Sequence, residues 1–194
     1  FDDLTPQDVV RTMKHHGVAD PYLLFLGRLE TKKNVPRIIE AFYRLRDSGL
    51  FGGQLVLIGK PGVGYEDVRE LIGKRASGTV VHTGYVPDQE RAALLRGARG
   101  LVFPSLHEGF GIPILEAFAG GTPVITSDRG ATAEVAGDAA LLVDPENVDS
   151  IHHAMERILS DENLASSLSE RGAKRVKQFS WAASARAIHE VLTK

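Results

Sequence analysis

Two glutamates and two cations are the residues whose types and spacing could do chemistry. Glu108 and Glu116 stand eight apart in HEGFGIPILEAFAGGTPVITSD, with Gly109, Phe110, Gly111, Ile112 and Pro113 between them. Pro113 suits the start of a helix, which would put Glu116 in its first turn. A carboxylate there gains from the helix dipole, and that alone would be a structural reason for it. A capping box is not available, because the residue three before Glu116 is Pro113. Ile112, Leu115, Glu116 and Ala119 share one helical stripe, so the carboxylate is expected beside a covered face, where it needs a protein or ligand partner. The glycines flanking Phe110 free backbone N–H groups and let a ligand approach, and the helix start favours an anion such as phosphate.

Arg28 and Lys33, in GRLETKKN, directly follow the apolar run YLLFLG. Such a loop is often merely solvated. At the C-terminal end of a core strand, however, a guanidinium and an ammonium can clamp a diphosphate. Other signatures fail on inspection. Gly109-Phe110-Gly111 runs on to Ile114 where a dinucleotide fingerprint wants a third glycine, and Gly59-Lys60 lacks the upstream Gly and downstream Ser/Thr of a P-loop. No second histidine follows His107-Glu108 at zinc-helix spacing and no Asp-x-Asp pair exists, so no metal site is expected. A phosphoacceptor domain would end its first strand with acidic residues, whereas this one ends Gly27-Arg28.

The elements that must position these residues are short apolar runs alternating with amphipathic segments. YLLFLG (22 to 27), QLVLIG (54 to 59), TVVHTG (79 to 84), GLVFPS (100 to 105), TPVITS (122 to 127) and AALLVD (139 to 144) lack polar alternation, which predicts strands covered on both faces. Helices are predicted between them: after Asn34 as N-cap, after Pro87-Asp88, through Ile151, Met155, Ile158 and Leu159, and from Ser180 with Trp181. The βα order implies a doubly wound, Rossmann-like parallel α/β sheet whose ligand lies beyond the carboxyl ends of the strands.

With 194 residues and 43% of them hydrophobic, one domain is expected, residues 1–20 forming a lead-in and 180–194 a C-terminal helix. Basic and acidic residues number 23 and 25, so the net charge of -2 offers no field for nucleic acid. With no cysteine, disulfides and thiolate catalysis are excluded, and the composition suits a reducing, cytoplasmic setting. No apolar run is long enough for a transmembrane segment. The opening Phe1-Asp2-Asp3, without an initiator Met, looks like a cut within a longer protein.

With GRLETKKNVPRIIEAF, LVLIGKPG, VVHTGYVPDQE, EVAGDAALLVDPENVDSI and the closing FSW, the glutamate segment makes the chain resemble, almost end to end, the C-terminal half of a family-four retaining glycosyltransferase with the GT-B fold. That resemblance implies a nucleoside-diphosphate sugar as donor substrate with no further cofactor, and an N-terminal acceptor domain of the same full-length protein as partner. It implies that Arg28 and Lys33 bind the diphosphate and serve catalysis together with Glu108, which faces the donor sugar. It implies that Glu116 holds the ribose hydroxyls, that backbone amides of Gly109, Phe110, Gly111 and Ile112 contact sugar and phosphates, and that the base lies near Tyr85-Val86. One departure is Gly130-Ala131, where the family often has two glycines. A GT-B-fold sugar-nucleotide epimerase and a non-catalytic nucleotide-sugar-binding module stand as alternatives.

Overall fold

The six apolar runs become six strands: β1 Tyr22–Leu26, β2 Gln54–Ile58, β3 Val80–Gly84, β4 Gly100–Phe103, β5 Val124–Ser127 and β6 Leu141–Val143. The structure, a computed structural model, describes residues 3–193. Phe1, Asp2 and Lys194, the outermost positions of the expected lead-in and final helix, lie outside the described residues. All the strands pair in parallel, in the order β3-β2-β1-β4-β5-β6, confirming the doubly wound α/β sheet. The chain therefore winds outward from β1 to β3, crosses back, and winds outward the other way from β4. The carboxyl ends of β1 and β4, adjacent in space but 77 residues apart at Leu26 and Phe103, flank the crevice where such sheets take ligands.

Coverage of the strands follows their place in the sheet. Every residue of β1, β4 and β5 is buried, as continuous apolar runs predict. The edges correct that expectation: β3 is half-buried after Val80, and in β6 Leu142 faces solvent. An edge strand has one neighbour and only part of the helical cover. Phe25 and Phe103 stack between β1 and β4 with ring centroids 6.1 Å apart. Both are fully buried, each contributing about 2–3 kcal/mol by removal from water.

Nine helices are described: α1 Pro6–His15, α2 Val35–Asp47, α3 Tyr65–Gly73, α4 Asp88–Gly97, α5 Ile112–Gly120, α6 Gly130–Ala136, α7 Val148–Ser160, α8 Glu162–Arg175 and α9 Trp181–Leu192. The expected lead-in thus carries a helix, opened by a Thr5/Asp8 capping box and packed on α4. His16, at its C-terminal end, bonds Glu90 of α4 at 2.6 Å. On the far side α7 packs its Ile151, Met155 and Ile158 face against α2 and the sheet. In α9, Trp181, Ile188, Val191 and Leu192 are exposed. Among the described residues no helix is long and apolar enough to cross a membrane.

Candidate functional site

The β1 side of the crevice is built by one loop held from three directions. After β1, Leu29 pairs with Pro61 and its N–H donates to the Lys60 carbonyl at 3.0 Å, so the loop tracks the end of β2. The stem of Arg28 crosses Gly62 so closely that a Cβ there would meet its Cγ and Cδ at 2.8 Å. The Arg28 guanidinium is exposed and has no ion-pair partner among the described residues. Thr31–Lys33 then make one turn of 3-10 helix, and the Leu106 N–H donates to the Lys32 carbonyl at 2.8 Å, joining this loop to the one after β4.

Asn34 completes the tie, by a route the sequence did not suggest. It stands at the N-cap position of α2 as expected, but with φ 63° and ψ 24° its side chain does not cap. A capping side chain is usually carried by extended backbone, which aims its oxygen at the first free N–H groups. Here the buried amide of Asn34 donates instead to the carbonyls of Pro104 at 3.0 Å and Pro145 at 2.6 Å. Its oxygen accepts from Arg37 at 2.9 Å. The loops after β1 and β4 and the segment after β6 are thereby pinned together.

That pinning brings Lys33 and Glu108 into contact, although they are 75 residues apart in sequence. The ammonium of Lys33 donates to Glu108 Oε1, and the two side chains are only 14% and 11% exposed. Lys33 Nζ also lies 5.3 Å from the ring centroid of Phe103, an arrangement that favours a cation.

From Glu108 the chain enters the glycine turn. Gly111, with φ 111°, adopts a left-handed conformation that a side chain would strain, and serves as the N-cap of α5 with no side chain to satisfy the helix amides. The N–H groups of Gly109, Phe110, Gly111 and Ile112 have no acceptor among the described residues. Four free donors and a helix N-terminus form a receptor for negative charge. The half-exposed Phe110 ring is steadied edge-on by Phe179, centroids 5.9 Å apart.

Glu116 requires two corrections. It is the fifth residue of α5, in the second turn, because the helix already begins at Ile112. Nor is its stripe the covered one: Ile114, Ala117 and Phe118 are buried, whereas Ile112 and Ala119 are exposed. Phe118 sets that phase, packed so tightly against α8 that a Cβ on Gly172 would come within 2.5 Å of its ring. The partner that Glu116 was expected to need is Arg91 on α4, whose Nη2 donates to Glu116 Oε1 at 2.8 Å while its Nη1 donates to Asp88 at 2.9 Å. The sequence reading missed Arg91. Its one signal was a lone arginine heading the apolar run AALL.

The remaining expected contact is only partly available. Val86 is buried, so it can offer a ligand no more than its backbone, whereas the neighbouring Tyr85 ring is exposed with Lys60 Nζ 5.3 Å from its centroid.

Burial pushes the Glu116 carboxyl above its ordinary pKa; Arg91 pulls it back by charge and hydrogen bond, and Asp88 adds to the rise. A carboxyl raised on folding costs nothing where both folded and unfolded chains hold the proton, and its cost grows as pH rises through the interval up to the folded value. Glu116→Gln, which removes this cost, is therefore expected to melt above the native chain at pH 7, with the gap closing as pH falls toward about 4. Melting curves across that range check it. A variant that melts below the native chain most strongly at pH 7 would mean that the Arg91 pair outweighs burial.

Comparison with known proteins gives the family of the chain. Residues 11–175 match the family model of glycosyl transferases group 1. The O-antigen chain mannosyltransferase B of Escherichia coli is 36% identical over 179 residues, covering 91% of this chain and 47% of that protein. Among solved structures, sucrose-phosphate synthase from Thermosynechococcus elongatus superposes with a TM-score of 0.79 at 28% identity, over 95% of this chain and 48% of its own. Anabaena Alr3699/HepE in complex with UDP-glucose superposes with a TM-score of 0.84 over 98% of this chain and 53% of its own; at 20% identity this likeness is one of fold. The chain spans less than half the length of the curated relatives it matches. By fold, by matched residues and by its relatives, the chain belongs to the glycosyl transferases group 1 family.

Proposed function

We propose that this chain binds a nucleoside-diphosphate sugar and is the donor half of an enzyme that transfers a hexosyl group to an acceptor with retention. The observation that carries the reading is the meeting of Lys33 and Glu108 at the β1/β4 crevice, at the head of a turn with four unpaired N–H groups. A diphosphate lying on that turn reaches Arg28, Lys33 and the start of α5 together. The hexose then lies on the Glu108 side and the ribose on the Glu116 side, one carboxylate for each end of the donor. In the transfer, an acceptor hydroxyl oxygen bonds the anomeric carbon as that carbon's bond to the diphosphate oxygen breaks, and the hydroxyl proton leaves with the phosphate. The cations and amides stabilise charge growing on the departing oxygen without a metal. Glu108 steadies positive charge at the anomeric region.

The acceptor would be held by an N-terminal half of a longer protein, for which the lengths of the relatives and the exposed apolar residues of α9 give support. The names of the E. coli relative and of the Anabaena complex make mannosyl and glucosyl donors the first to try. In a thermal-shift panel of GDP-mannose, UDP-glucose and ADP-glucose, one donor at 100 times its dissociation constant should add about 2.7 kcal/mol, or roughly 5–10 °C in a chain of this size. If none shifts the melting point and none gives binding heat up to millimolar concentration, the reading fails. A full-length protein that epimerised its nucleotide sugar without an acceptor, or bound it without turnover, would replace the transferase reading with one of the two alternatives.

A further inference from the structure

The Arg91–Glu116 contact assigns a role to a residue outside the loop motifs. Arg91 is fixed at both ends of its guanidinium, by Glu116 Oε1 at 2.8 Å and Asp88 Oδ1 at 2.9 Å. Its own N–H donates to the Pro87 carbonyl at 2.8 Å, in the first turn of α4. Both partners in the Glu116 pair are about a quarter exposed, so the contact is shielded without being sealed. Glu116 Oε2 has no hydrogen-bond partner among the described residues. The carboxylate is thus gripped by one oxygen and offers the other. A cavity of about 610 Å³ between α1 and α4 opens beside it, with both Glu116 and Arg91 in its wall.

We propose that Arg91 is a positioning residue for nucleotide binding: it holds Glu116 ionised and oriented, with Oε2 turned to a ribose hydroxyl. The inference rests on the reading of Glu116 as the ribose receptor. Its physical basis is that a half-buried carboxylate left alone would take a proton or swing to solvent, and a protonated carboxyl can accept only weakly from two hydroxyls. Arg91 supplies the countercharge, and its second bond to Asp88 fixes the direction from which it does so. Asp88 and Glu90 on α4, with Asp3, Asp8, Arg11 and His15 from the α1 side, line the same cavity and shape the local potential. A lysine at position 91 would keep the charge but lose the two-ended grip.

The test measures the binding of UDP, GDP and ADP to the 194-residue chain by calorimetry between pH 5 and 8, for the native protein, Arg91→Met, Arg91→Lys, Glu116→Gln and the double variant Arg91→Met/Glu116→Gln. For whichever diphosphate the native chain binds, Arg91→Met should lose about 10-fold in affinity at pH 7, and its affinity should fall away at a higher pH than the native chain's. Arg91→Lys should recover the pH profile and part of the affinity, a pattern that simple loss of packing would not give. In the double variant Arg91→Met should add little to Glu116→Gln, since the group it positions has already lost its charge. If Glu116→Gln weakens binding while Arg91→Met leaves it unchanged or tighter, the positioning role is wrong and the ribose reading stands. If neither substitution weakens binding in correctly folded protein, both are wrong.

Discussion

Replacing Lys33 by alanine is expected to weaken nucleoside diphosphate binding by about 10- to 100-fold while leaving binding of the bare nucleoside nearly unchanged. The lower bound is the ordinary worth of hydrogen bonds to a charged group, about 1.5 kcal/mol. Two features of the site push the loss higher. Lys33 is the only cation paired to Glu108 among the described residues, in surroundings that leave both side chains less than 15% exposed. Without it, an uncompensated carboxylate faces an incoming dianion, so the variant loses an attraction and acquires a repulsion. Arg28→Ala removes a more exposed charge and should cost less, about 10-fold. Titration calorimetry of nucleoside against nucleoside diphosphate separates these contributions. Equal losses for the two ligands would show that the loop shapes the site as a whole and does not hold phosphate.

The two glutamates are expected to respond in opposite directions to the same substitution. Glu116→Gln should weaken nucleoside diphosphate and nucleotide sugar alike by roughly 10-fold or more, since the ribose is common to both and the amide replaces an acceptor oxygen with a donor. Glu108→Gln should tighten the nucleoside diphosphate by about 3-fold, because Lys33 is released from its ion pair and one negative charge near the phosphates is gone. In the full-length enzyme the same Glu108→Gln change should lower kcat more than it raises KM, as for a contact that strengthens when positive charge develops on the sugar. A 2′-deoxy donor checks the first half: it should lose affinity against the native chain and little more against Glu116→Gln. Losses of equal size and direction for both substitutions would remove the division of labour between them.

What could be read from the sequence, and what could not, follows from the range over which the forces act. Strands β1, β4 and β5 were legible because burial on both faces leaves an unbroken apolar run. The edge strands β3 and β6 were found but their half-exposure was not, since neighbours are a property of the whole sheet. The positions of Arg28, Lys33, Glu108 and the glycine turn were legible because the βα order puts them at the carboxyl ends of parallel strands; that β1 and β4 are neighbours came only with the structure. Their partners were not. Lys33 meets Glu108 across 75 residues and Arg91 meets Glu116 across 25, pairings fixed only when α4 packs on α5 and Asn34 draws three loops together. Glu116 was placed in the first turn because Pro113 was read as near the first helical position, whereas the helix begins one residue earlier, at Ile112 after Gly111, which carries Glu116 into the second turn.

The central claim is that one nucleotide sugar lies along the glycine turn with a glutamate at each end, and a crystal structure of the chain with the donor selected by the panel tests it most directly. Ribose hydroxyl oxygens are expected within about 3 Å of the Glu116 carboxylate. The diphosphate should lie against Arg28, Lys33 and the amides of Gly109 to Ile112, and the hexose beside Glu108. A donor bound with its ribose away from Glu116, or with its phosphates outside the β1/β4 crevice, would show that the two glutamates do not divide the nucleotide sugar between them.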